Sequence, residues 1–379
     1  MSAEMQTLDR EAMDALVARA RREIDDGLLP SCQLALAHRG EIVAEVALGD
    51  ATLDTRYVIF SCTKALVASA IWLLIGDDRL DPAIRVVDVI PEFGSNGKDV
   101  VTVEQLLLHT SGFPRAPLGP PEWFTREGRL ARFERWRLSF EPGTKFEYHP
   151  TAAHWVLAEV IERIAGTDYR EFIRTRILEP IGLTRLVLGC PIEQQGDIAP
   201  LSGCGVAATP DELEAAIGVR ELPLNEVTEE VLLGLSAPEN LALGVPGGGA
   251  VSTASDLALF YQALLDDPGA VWSPEVRLDA INEIRNRLPD ERGVPANRTL
   301  GLVVAGDDGK SAWRGMGYTV SPTTFGHNGA GGQIAWADPA TGLSFVYLTN
   351  GLDRNVLREA GRTSGIASRA ARCVTTPAS

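Results

Sequence analysis

Long apolar runs are missing from this 379-residue sequence: the longest, Ala65–Gly76, is about 12 residues, against the roughly 20 that a membrane-spanning helix needs. A surplus of positive charge is missing too. Against 51 acidic residues stand only 35 basic ones, and the net charge of −16 repels phosphate backbones and anionic lipid. No nucleic-acid or membrane partner is therefore expected. Cysteine is sparse and unpatterned: Cys32, Cys62, Cys190, Cys204 and Cys373 are odd in number and contain no C-x-x-C pair. That speaks against a disulfide framework and against a zinc site. Histidine is scarce as well. His38, His109, His149, His154 and His327 offer no pair at metal-ligand spacing, and His149 and His154 would point to different helix faces.

Other absences narrow the field further. Glycine (37) and proline (23) are too few for a low-complexity chain, and 45% apolar with 23% charged residues is an ordinary globular composition. The N-terminal segment, residues 1–27, mixes charge with apolar residues at helical spacing and shows no secretion-type apolar core. A cytoplasmic protein in a reducing compartment is expected. There is no H-E-x-x-H, and Gly234-Leu235-Ser236-Ala237 runs into Pro238 instead of completing a G-x-S-x-G elbow, which argues against an α/β-hydrolase. Gly309-Lys310-Ser311 looks like the end of a P-loop, but Val304 stands where its first glycine belongs. No metal or cofactor is implied.

What is present has a clear order. Gln33–Leu48 reads as two strands turning at Arg39-Gly40. Helical patterns follow over Ser61–Ile75, Val103–Leu108, Ala152–Ala165, Tyr169–Leu178, Pro210–Val219 and Ser255–Leu265. Alternating runs then return at Leu300–Ala305, Gly332–Ala337 and Ser344–Thr349, the last two joined by the turn Asp338-Pro339-Ala340-Thr341-Gly342. Sheet elements at both ends with helices between them predict an α/β (α+β) fold. Residues 1–60 and 245–379 would form a discontinuous sheet domain, and residues 61–244 an inserted, mainly helical one. A ligand cleft is expected between them.

Phe60-Ser61-Cys62-Thr63-Lys64 opens the most apolar helix and contains S-x-x-K. Residues i and i+3 share a helix face, so the Lys64 amine can meet the Ser61 hydroxyl. A serine is a weak nucleophile until an adjacent base takes its proton, and a lysine can do so only when its surroundings keep it neutral. Unpaired N–H groups at the helix start would favour a developing oxyanion.

Four further segments accompany this motif in order: Leu106-Leu107-Leu108-His109-Thr110-Ser111-Gly112-Phe113, Glu141-Pro142-Gly143-Thr144-Lys145-Phe146-Glu147-Tyr148, Gly247-Gly248-Gly249-Ala250-Val251-Ser252-Thr253 and Gly326-His327-Asn328-Gly329. Together they resemble the serine β-lactamase-like and penicillin-binding-protein superfamily, with the class C β-lactamase fold. The likeness runs over roughly residues 20 to 350 and is nearest to the family VIII carboxylesterases. It implies an antiparallel sheet flanked by helices, with Ser61 as the acylated nucleophile, Lys64 as its proton acceptor and Tyr148 in the proton relay. His327, Asn328 and Gly329 stand where relatives keep K-T-G. By that analogy the Ser61 and Ala330 amides form the oxyanion hole. Gly329, Gly331 and Gly332 suit close approach of a substrate to backbone.

One departure shapes the substrate expectation. Relatives that hydrolyse β-lactams carry Tyr-x-Asn, whereas Tyr148-His149-Pro150 places proline at the asparagine and His327 at the K-T-G lysine. Two polar contacts worth about 1–3 kcal/mol each are lost, which disfavours efficient β-lactam turnover. The resemblance thus implies hydrolysis of a small-molecule carboxylic ester through an acyl-enzyme. An amide-directed member (a D-amino-acid peptidase or weak β-lactamase), an acyltransferase and a non-catalytic protein that uses the cleft for binding are the alternatives. His109 and Ser111 read as structural, Cys62 as a packed small hydrophobe, and Trp123, Phe124, Trp136 and Trp313 mostly as core. The loops Pro114–Arg132 and Ile192–Glu239 would set the pocket, and oligomeric state is not legible in the sequence.

Overall fold

Two hairpins far apart in sequence build the central sheet. The computed structural model describes residues 8–221 and 227–374; the first seven residues of the N-terminal segment and part of the 192–239 loop lie outside them. Strands β1 (Ser31–His38) and β2 (Glu41–Gly49) turn at Arg39 and Gly40, both left-handed. They join β3 (Val303–Val304), β4 (Phe325–Gly326), β5 (Ile334–Asp338) and β6 (Leu343–Thr349) in the order β2-β1-β6-β5-β4-β3. Every neighbouring pair is antiparallel.

Residue size decides which helix covers which face. Large side chains, Leu34, Leu36, Ile334, Trp336, Phe345 and Tyr347, alternate with small or branched ones, Ala35, Ala37, Ala335, Ala337 and Val346, as the two-residue strand period requires. The large set packs beneath α1 (Arg10–Asp25) through Leu16 and Ala20, and beneath the last helix, Val356–Ala370, through Ile366 and Ala370. The small set admits a close helix, Ala254–Asp266, on the other face. There the buried Gln262 donates to Ala37 O at 2.9 Å and Gly342 O at 3.0 Å and accepts from Gly40 N–H at 2.9 Å.

Beyond that helix lies α2 (Thr63–Gly76), buried at every residue from Thr63 to Leu74. A helix apolar on all sides belongs inside a layered core, and here it contacts Ala152–Ala165 (α3). Among the described residues no helix is long and apolar enough to cross a membrane, and the five cysteines are free thiols.

Several elements differ from the sequence expectation. The strand expected over Leu300–Ala305 shortens to Val303–Val304, because Gly301 turns with φ 98 so close over α2 that a Cβ there would stand 2.4 Å from Ala68 Cβ. Residues Ala330–Gly332 form a 3-10 turn rather than the start of a strand, with Gly331 at φ 71. The helix expected over Tyr169–Leu178 widens to a π-turn after Ile173. Helices at Arg126–Arg135, Pro274–Asn282 and Val356–Ala370 were not anticipated.

Candidate active site

A single 3-10 turn, Phe60–Cys62, leads into α2 and carries the S-x-x-K serine. Phe60 holds a left-handed backbone, φ 44, a conformation that a non-glycine residue keeps only where its surroundings impose it. Backbone contacts supply the constraint. Ile59 N–H donates to Ala250 O at 3.0 Å, Ala250 N–H donates to Thr63 Oγ1 at 3.1 Å, and Gly248 lies against the Phe60 carbonyl. The glycine-rich segment 247–249 thus holds the turn that presents Ser61.

Ser61 Oγ lies between two groups, Lys64 Nζ at 3.1 Å and the Tyr148 hydroxyl at 2.9 Å. Lys64 is fully buried, and its Nζ also donates to Pro150 O at 2.7 Å and Gly247 O at 2.5 Å. Three oxygens thus surround Nζ; in the neutral amine the two carbonyls would take its two N–H groups and leave its lone pair for the serine proton. Burial pushes Lys64 well below the usual lysine range, and the Arg298 charge pushes it further. Burial has the opposite effect on Tyr148, which is raised to about 12, although the Ser61 hydrogen bond and Arg298 pull it back. The proline carbonyl at position 150 therefore binds the lysine, where sequence reasoning had weighed only the lost asparagine amide.

Rings crowd around this centre. Tyr148 lies 4.7 Å from the His109 ring and 6.0 Å from His327, and His109 is 5.8 Å from His149 and 5.9 Å from His154. His149 donates through Nδ1 to Glu147 O at 2.6 Å, so its Nε2 accepts from the Ser111 hydroxyl at 3.0 Å and Phe113 N–H at 3.3 Å. His109 Nδ1 accepts from His149 N–H at 3.1 Å. Burial holds all four histidines below their ordinary pKa, His149 at about 4. Among the described residues they form no group able to hold a metal ion.

The segment 327–330 borders Ser61. Tyr261, on Ala254–Asp266, accepts from His327 N–H at 3.0 Å, and His327 Nδ1 donates to Asn328 O at 2.9 Å. Both ends of the Asn328 amide are engaged: Nδ2 donates to Gly315 O at 2.5 Å and Oδ1 accepts from Ala335 N–H at 3.2 Å. Its side chain thus ties the loop to β5. A Cβ on Gly329 would stand 2.4 Å from Ile59 O, so that backbone lies directly on the turn carrying Ser61. Ala330 follows, partly exposed, at the start of the Ala330–Gly332 turn.

The structure therefore gathers Ser61, Lys64 and Tyr148 at hydrogen-bond distance and sets His327 and Gly329 beside them. His109, read as structural from the sequence, packs on Tyr148; its prominence in the LLLHTSG segment is the available signal. Arg298 had none. Cys62 is buried with its thiol pushed up, Trp123 and Trp136 are core residues, and Phe124 and Trp313 are exposed.

Comparison with known proteins places the fold. The family model described as Beta-lactamase matches residues 11–367. The chain is 27% identical over 322 residues to the esterase/beta-lactamase LipL of Mycobacterium tuberculosis, covering 79% of this chain and 70% of that protein. A solved family VIII carboxylesterase superposes with a TM-score of 0.76 at 25% identity, covering 98% of this chain and 100% of the other. A penicillin-binding protein homolog from Caulobacter crescentus superposes with a TM-score of 0.75 at 25% identity, covering 97% and 98%.

Proposed function

This chain belongs to the Beta-lactamase family, and from that premise we propose that it is a serine hydrolase that cleaves small carboxylic esters through an acyl-enzyme on Ser61. One observation carries the reading: Ser61 Oγ is contacted at once by Lys64 Nζ, at 3.1 Å, and by the Tyr148 hydroxyl, at 2.9 Å. A binding protein has no physical need for a hydroxyl, a buried amine and a phenol so arranged.

In the proposed cycle Ser61 Oγ attacks the ester carbonyl while its proton passes to Lys64. The Ser61 and Ala330 amides steady the oxyanion, a contribution that is typically a few kcal/mol per donor. The ester C–O bond breaks, and the departing alkoxide takes its proton from the Lys64–Tyr148 pair. Water, deprotonated by the same pair, then splits the Ser61 acyl ester to release the acid and restore the hydroxyl. The esterase names among its relatives, LipL and the family VIII carboxylesterase, support an ester substrate. Proline at position 150 and histidine at 327 favour ester over β-lactam.

Hydrolysis of p-nitrophenyl acetate and butyrate by the wild type and Ser61→Ala, with nitrocefin alongside, tests the reading. Ester turnover that collapses in Ser61→Ala, with nitrocefin barely touched, is expected. Full activity in Ser61→Ala would remove the nucleophile assignment. Failure of the wild type on every substrate would favour an acyltransferase, a specific peptidase or a binding protein.

A further inference from the structure

Arg298 carries a buried charge that the proton relay above leaves unused. Its backbone is pinned: N–H donates to Asn286 O at 2.9 Å, and its carbonyl accepts from Arg285 and Asn286 N–H at 2.8 and 3.1 Å. Asn286 in turn donates to Leu108 O at 3.1 Å, next to His109. The guanidinium lies over two rings, 5.6 Å from the centre of Phe146 and 5.5 Å from that of Tyr148. Only 7% of the residue is exposed, and Nε and Nη1 are sealed from solvent without an acceptor.

Among the described residues no carboxylate pairs with it. Glu147, beside Tyr148 in sequence, turns to Lys145 at 2.7 Å and Arg115 at 3.4 Å. Another buried arginine, Arg362, shows the ordinary arrangement, with Asp353 at 3.0 Å and Glu23 at 3.3 Å. A buried cation without a counter-ion is unfavourable, and its field falls on the groups around it. It acts on Lys64 at the start of α2, His109, Tyr148, His154 from α3 and His327, and Cys62 in the turn before α2, His149 and Tyr261 adjoin the same cluster. None is a carboxylate.

The relay has an electrostatic conflict. Burial favours the neutral form of every group, which makes Lys64 a base but keeps Tyr148 a phenol. A nearby fixed cation acts differently: it disfavours lysine ammonium and favours tyrosinate, so both groups move toward proton acceptance. We propose that Arg298 is a positioning residue for the proton relay, whose unpaired charge, held against Tyr148, favours the proton-accepting forms of both Lys64 and Tyr148. Arg298 itself is lowered only to about 10 and stays charged at neutral pH. This role rests on the serine-hydrolase reading above.

The test is the pH profile of kcat/KM for p-nitrophenyl acetate, from about pH 5 to 10, on the full chain. Without the cation Lys64 holds its proton to higher pH, so Arg298→Met and Arg298→Gln move the acid limb up by about one pH unit. Arg298→Lys, which returns a cation, brings the limb back toward wild type. Circular dichroism identifies which of the two neutral variants fold. A purely packing role lowers the rate at every pH and leaves the limb in place, and that result in either folded neutral variant overturns the proposal. Ser61→Ala, assayed in parallel, separates the two failures. If it keeps full turnover, the nucleophile assignment falls; if it is inactive while the limb stays fixed, only the role of Arg298 falls.

Discussion

The Tyr148 hydroxyl lies 2.9 Å from Ser61 Oγ, across 87 residues of sequence. Tyr148→Phe removes that oxygen and little else, because the ring keeps its contacts with His109 and Lys64. General acid–base groups contribute about 10²- to 10⁴-fold. We expect kcat for p-nitrophenyl butyrate to fall within that range with the melting temperature nearly unchanged. A tyrosine that only packs would give the opposite: unchanged kcat and a lower melting temperature.

Lys64→Met should abolish acylation, because among the described residues no other amine lies within hydrogen-bond distance of Ser61 Oγ. Labelling by a serine-directed phosphonate, followed by intact mass, is expected to slow by at least about 10²-fold. Lys64→Arg should be no better. A guanidinium stays protonated and has no lone pair to offer the serine proton, although it can still donate toward Pro150 O and Gly247 O, the carbonyls that Lys64 now satisfies.

The legible part of the site was the part that is local. Ser61 and Lys64 are one helical turn apart, so their meeting follows from spacing alone, and Tyr148 was found through resemblance. Arg298 reaches Tyr148 and His154 reaches His109 only because the turn at Gly301 and helix α3 bring them there, and no local pattern marks such contacts. In the fold, β1, β2, β5 and β6 were readable from alternation and turn residues. The last helix was not. Its sequence contains Gly361 and Gly365, which weaken intrinsic helix preference, and it gains order by burying Ile366 and Ala370 against the sheet and α1.

Acid should unfold this protein through its histidines. His109, His149, His154 and His327 are all held below their ordinary pKa by burial. An unfolded chain therefore binds more protons just below about pH 6.5, and stability falls as the pH drops from there toward the folded values, about 4 for His149. Urea midpoints measured at pH 7.5 and pH 5 should differ, with the acid value lower by a free energy on the order of 1–3 kcal/mol. His154→Phe should flatten that dependence, since both its ring nitrogens are buried without a partner. Equal midpoints at the two pH values would show that these rings stay neutral without strain.

Gly329 tests whether segment 327–330 belongs to the working site. Its φ of −106 is open to any residue, so backbone strain is not at issue; the Cβ alone is, because it would stand 2.4 Å from Ile59 O and 3.0 Å from Gln333 Cβ. A backbone oxygen two residues before the nucleophile cannot swing aside as a side chain does, so Gly329→Ala must push the segment bearing Ala330 away from Ser61. The overpacking should lower stability by about 1–3 kcal/mol. If the Ala330 amide binds the oxyanion, kcat falls by about 10²-fold or more while KM changes little, since a displaced donor is missed mainly in the transition state. Loss of stability with kcat intact would remove Ala330 from the oxyanion hole and leave Gly329 as a packing glycine.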